Sequence, residues 1–168
     1  MAKAAWLVDM GYVVKTSGKG LFKIDYVSAA NVLSARLGGT KPFIFNGFDA
    51  NQGIPTGLQG FYHAMEAQGM TICLHPMTGD AGAGTHVQRR VDVDIAAHLI
   101  WQCSLPSIEN VVLTTGDQDF IPAIELAKRE FGKRVLLFSF NRNVHGDLRK
   151  LVDEHLLFED HEKEIART

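Results

Sequence analysis

The runs AAWLVD, KPFIFNGF, MTICLHPM, NVVLTTG and RVLLFSF punctuate the chain at intervals filled by segments of helical period. Each run is brief, rich in β-branched or aromatic residues, and bounded by Gly, Pro, Asn or Asp, which is the pattern of a strand. Their hydrophobicity is near-continuous rather than alternating, so these strands are buried on both faces. Helices are expected over 26–37, 57–68, 91–103, 120–131 and about 143–152, several of them stopped by a glycine, as at Gly38, Gly69 and Gly132. Parallel strands need a crossover, and helices supply it, so the order implies an α/β fold: a mostly parallel twisted sheet with helices on both faces. A short last run, HLLFE, precedes a charged tail from about residue 160 that is expected to fray.

Length and composition fit one domain. A chain of 168 residues with 46% hydrophobic content is long enough to bury roughly 70% of the surface its unfolded form exposes. It needs no disulfide or structural metal, and no repeat or linker divides residues 1–168. Cys73 and Cys103 both lie inside apolar segments and read as buried free thiols, which fits a reducing, cytoplasmic setting. The apolar start AAWLV is broken by Asp9, and no later run approaches the ~20 residues of a membrane span. A net charge of −2 means that any nucleic-acid contact must come from a local basic patch.

The chemistry concentrates at strand ends. Asp9 follows the first strand directly, and Asp117 and Asp119 follow the fourth in VVLTTGDQDF. Asp92 and Asp94 open the preceding helix in RRVDVDIAAHLI. In a doubly wound sheet strands one and four are neighbours at the switch point, where a crevice opens. Asp9, Asp117 and Asp119 would share one rim of it, with Asp92 facing them. Converging carboxylates repel, and a hard divalent cation, Mg²⁺ or Mn²⁺, resolves that repulsion with oxygen ligands. Each aspartate alone has a second reading, as a helix N-cap or a partner of the helix dipole. Asp92 and Asp94, two apart, point to nearly opposite sides of a helix, so at most one joins the cluster. Asp94 is expected to face solvent or to pair with His98 one turn later.

Other segments are less specific. The loops TSGKG and TGDAGAGTH, after the first and third strands, sit where open α/β sheets bind ligands. GDAGAG within the second has neither G-x-G-x-x-G spacing nor a P-loop lysine, so it reads as a plain loop. Arg89 and Arg90 lead into Asp92, and cations beside an acidic cluster suit a phosphodiester substrate; a solvated helix end is the other reading. No G-x-S-x-G elbow and no H-E-x-x-H pattern is present. A haloacid-dehalogenase phosphatase needs an Asp where Gly11 stands.

Asp9 after the first strand, RRVDVDIAAHLI, and TTGDQDFIPAI followed by FGKRVLLFSF together resemble the NYN domain, in its LabA-like branch, a relative of the PIN-domain nucleases. The resemblance extends over DYVSAANVL, GFYHAMEAQGMTI and HGDLRKLVDEHLLFED. Its most specific element is Thr115, Gly116, Asp117, Gln118, Asp119, Phe120 and Pro122, against a family pattern of Ser-Gly-Asp-x-Asp-Phe followed by Pro. The resemblance implies a PIN-like Rossmannoid sheet, a divalent-metal acidic site at Asp9, Asp92, Asp117 and Asp119, and ribonuclease activity. Arg89 and Arg90 would steer an RNA strand, with single-stranded RNA suiting a crevice best. The chain departs from the family twice: Tyr12 stands where an asparagine is common, and His98 where a second carboxylate is. Either change is expected to shift metal preference or weaken catalysis, and His98 becomes a possible additional site residue. A non-catalytic regulatory module of the same fold, binding RNA, nucleotide or protein, is the alternative, and a homodimer is compatible with either.

Overall fold

The computed structural model describes residues 1–18, 20–77 and 88–168, and for residues 88 and 89 the backbone alone. Six strands run in one all-parallel sheet: β1 (Ala4–Asp9), β2 (Thr40–Asp49), β3 (Thr71–Met77), β4 (Asn110–Thr114), β5 (Arg134–Ser139) and β6 (Glu154–Leu157). Their spatial order is β3-β2-β1-β4-β5-β6. The chain therefore reverses direction of build at β1 and β4, and that pair forms the switch point expected from the sequence.

Two layers of helices cover the sheet. On one face α1 (Met10–Ser17), α2 (Tyr26–Leu37) and α3 (Thr56–Ala67) pack on Trp6, Val8, Ile44, Val112 and Phe138. On the other, α4 (Gln88–Ser104), α5 (Ile121–Phe131) and α6 (Gly146–Leu151) pack on Leu7, Phe43, Phe45, Leu113 and Leu137. Alternate residues of β1 thus feed two separate cores, and all but its terminal Asp9 are apolar. Among the described residues no helix is long and apolar enough to cross a membrane.

The structure corrects the sequence reading in several places. The segment after β1 is helix α1 through Ser17, so of the expected loop TSGKG only the last residues remain, and Lys19 lies outside the described residues. Helix α4 starts at Gln88, which places Asp92 in its second turn rather than at its opening. In the tail a 3-10 helix at Phe158–His161 leads to α7 (Glu162–Ile165), Ile165 is fully buried, and Ala166 bridges Ile24. Cys103 is buried as expected but Cys73 only half so, and burial pushes both thiols up to about 11. The loop TGDAGAGTH, with its GDAGAG, lies outside the described residues.

Thr114, the last residue of β4, joins three strands. Its hydroxyl oxygen accepts from the Trp6 indole N–H of β1 at 2.8 Å and donates to the Phe138 carbonyl of β5 at 2.5 Å. All three groups are buried. Thr114→Val keeps the shape but leaves the indole N–H without its acceptor, so we expect a loss of about 1–3 kcal/mol in unfolding free energy, read from urea denaturation. A loss below the error of the measurement would show that the indole finds another partner.

Candidate functional site

Asp9 ends β1 at the centre of the sheet and is 4% exposed. Its Oδ1 accepts the Tyr12 backbone N–H at 3.2 Å and so caps α1. The capping reading of this residue therefore holds: one oxygen starts the helix. Asp117 repeats the arrangement after β4, its Oδ1 accepting the Asp119 N–H at 2.9 Å as N-cap of the 3-10 helix Gln118–Phe120. The capping role expected of Asp119 thus falls to Asp117, and Asp119 is exposed in the first turn.

A crevice opens beside Asp9 in two lobes. One, of about 190 Å³, is walled by Asp9, Tyr12, Lys15, Thr115, Asp117 and Asn143. The other, of about 210 Å³, is walled by Asp9, Lys15, Asn46, Met77 and Val91. Lys15 is the cation common to both. It stands on α1 four residues after Gly11, which also lines both lobes, so helical spacing carries the two to one face. Recognising α1 in the sequence would have found it.

Among the described residues the crevice has one lining cation, Lys15, against the carboxyls of Asp9 and Asp117; Asp92 and Asp119 are not among its lining residues. Burial pushes Asp9 above the usual carboxylate range, and Asp117 adds to this, while the Tyr12 and Gly11 N–H groups and the Thr115 hydroxyl hold it down. Asp92 is pushed up to about 7, first by burial and then by Asp9, Asp117 and Asp119. Among the described residues its Oδ1, which is buried, has no hydrogen-bond partner. A buried carboxylate oxygen lacking any donor is costly, and a cation is what such an atom accepts. Among the described residues no group of three or more His, Cys, Asp or Glu side chains stands ready to hold a metal ion. The charges of Asp9, Asp117 and Asp119 thus act on Asp92, and that of Asp117 on Asp9.

Asp94 turns the other way. Its carboxylate meets His75 Nε2 at 2.7 Å and His98 Nδ1 at 3.0 Å. The His98 ring packs among Phe43, Phe45 and Trp101 at centroid distances of 5.4, 5.0 and 5.5 Å. His98 therefore belongs to the Asp94 side of α4, with the pairing expected from their spacing. Arg90 is exposed and lines a separate hollow with His75, Val93 and Asp94. The side chain of Arg89 lies outside the described residues.

Tyr12 has a structural task. Its hydroxyl donates to the carbonyls of Phe140 at 3.2 Å and Arg142 at 2.9 Å, pinning the segment after β5 against α1. Asn143 follows at φ 59° and donates to Thr16 Oγ1 at 3.2 Å. This segment presses so closely on Gly116 that a Cβ there would lie 1.7 Å from the Asn143 carbonyl oxygen. Only glycine fits, which accounts for the Gly in Thr115-Gly116-Asp117.

The raised carboxyl of Asp92 makes stability depend on pH. Unfolded, it titrates near 3.8; folded, near 7. Between those values the folded state holds the proton more tightly, so without divalent cations stability falls as pH rises from about 4 to about 7. Asp92→Asn removes this contribution. Urea midpoints should therefore converge for the two proteins near pH 4 and diverge in favour of the variant by pH 8. Parallel profiles would place the Asp92 carboxyl in the ordinary range.

Among curated proteins none matches the chain. A solved structure, that of a protein of unknown function from Vibrio parahaemolyticus, superposes with a TM-score of 0.78 at 20% identity, covering 95% of this chain and 94% of that one. It supports the fold alone. The sequence model of the NYN domain matches residues 3–159, a span that includes Asp9, Asp92, Asp117 and Asp119, and the chain belongs to the NYN domain family.

Proposed function

We propose that the protein is a divalent-metal-dependent ribonuclease that hydrolyses single-stranded RNA in the crevice beside Asp9. The observation that carries this reading is the buried, partnerless Asp92 Oδ1 in the field of three other carboxyls. An acidic crevice of this kind is complete only with a cation, and NYN membership supports a PIN-like nuclease. The likeness of TTGDQDF and the flanking segments to the LabA-like branch supports the same reading.

Asp9 and Asp117 would hold Mg²⁺ or Mn²⁺ directly, with Asp92 and Asp119 as further ligands or as groups that position water. When bound, such an ion lowers the pKa of water and stabilises negative charge on a scissile phosphate. Asp92 Oδ1 would accept a hydrogen bond from the attacking water. Lys15, common to both lobes, would hold a phosphate oxygen of the strand. Tyr12 and Asn143 hold the wall next to Gly116 through hydrogen bonds to the segment after β5 and to Thr16. Because His98 is engaged by Asp94 and enclosed by aromatic rings, it takes no part in this scheme.

Cleavage of an unstructured RNA should require Mn²⁺ or Mg²⁺ and fall by roughly two orders of magnitude or more in Asp117→Asn. Lys15→Ala should weaken RNA binding and make the log–log salt dependence shallower by about 0.7, the value for one lost contact to a single strand. Metal-independent binding without cleavage in the unaltered protein would instead identify a regulatory RNA-binding module.

A further inference from the structure

The face of α1 turned away from the acidic crevice lines a second and larger cavity, of about 530 Å³. Its walls are Val13 and Val14 of α1, Leu21 and Ile24 of the segment that follows, and Leu58 and Phe61 of α3. Val14 is 57% exposed, one of few large apolar side chains so open to solvent. The cavity falls within the roughly 300–1,000 Å³ of ordinary small-molecule sites.

Two cations stand at this apolar cavity, Lys23 and Arg167, and no acidic residue is among the lining groups. The backbone holds them together: the Arg167 N–H donates to the Lys23 carbonyl at 2.7 Å, beside the bridge of Ile24 to Ala166. Some surface cations find carboxylates, as Lys3 does with Glu109, Lys128 with Asp153 and Arg134 with Glu154. Neither Lys23 nor Arg167 makes an ion pair among the described residues. Two cations on paired backbone positions at one cavity can both act on the same anion. An apolar chamber with an uncompensated cationic pair is complementary to a molecule built the opposite way.

We infer that this cavity is a binding site for a small amphipathic anion, with a carboxylate or phosphate head at Lys23 and Arg167 and an apolar body between α1 and α3. The site is separate from the acidic crevice and does not depend on the nuclease reading.

The test uses 8-anilinonaphthalene-1-sulfonate, an aromatic body with one anionic head, titrated against the full chain with fluorescence readout. Saturable binding of one dye per chain is expected. The double variant Lys23→Glu/Arg167→Glu, at two exposed positions, should raise the dye Kd at least about tenfold. Neutral N-phenyl-1-naphthylamine should bind both proteins alike. Val14→Trp, which crowds the cavity from an exposed position, should weaken both dyes while urea stability is retained. Asp117→Asn should leave both unchanged, which separates this site from the crevice. Decanoate and decyl phosphate as competitors tell which head is preferred. No saturable binding, a dye Kd indifferent to the charge reversals, or failure of both competitors would overturn the inference.

Discussion

Burying a carboxyl at the end of the central strand sets a constraint that the surrounding structure is arranged to meet. Asp9 stands where β1, flanked by β2 and β4, leaves the sheet, almost entirely out of water. Part of the cost is offset locally, since the first free N–H groups of α1 converge on its oxygens. Asp117 adds its charge to that of Asp9, and Asp9, Asp117 and Asp119 together act on Asp92. Among the described residues the result is a local deficit of positive charge in a chain whose net charge is only −2. That deficit, more than any single side chain, is what points to a cation.

The wall opposite α1 depends on the same strand end. Since α1 begins at Asp9, its orientation fixes where Tyr12 points, and Tyr12 in turn fixes the segment after β5 through two backbone carbonyls. That segment closes on Gly116, whose missing side chain allows the approach. Tyr12 is thus both part of the crevice wall and the strut that holds the segment after β5 against α1.

Much of this was readable in the sequence where local signals and tertiary packing agree. Helix α2 runs over the expected residues because Asp25 caps it and Gly38, at φ 82°, stops it. The adjacency of β1 and β4 followed from the alternation of strands and helices. Helix α1 was missed because no turn residue separates it from β1: the last strand residue is itself the cap, and Tyr-Val-Val has strand rather than helix preference. With it went Lys15. The start of α6 was placed too early because Asn143 adopts a left-handed turn and His145, not Asn143, provides the cap. The burial of Ile165 could not be seen locally at all, since its partners lie across the chain. Among the aspartates, helical spacing correctly sent Asp92 and Asp94 to different sides of α4, yet it could not show that Asp94 would be held by two histidines.

The central claim is that the acidic crevice holds a divalent cation. Calorimetric titration of Mn²⁺ into the unaltered protein and into Asp9→Asn/Asp117→Asn, at a pH above that at which Asp92 ionises, tests it most directly. Saturable binding to the unaltered protein is expected, lost in the double variant while the fold persists by circular dichroism. Heats of dilution alone from the unaltered protein, or equal affinity in the double variant, would contradict it.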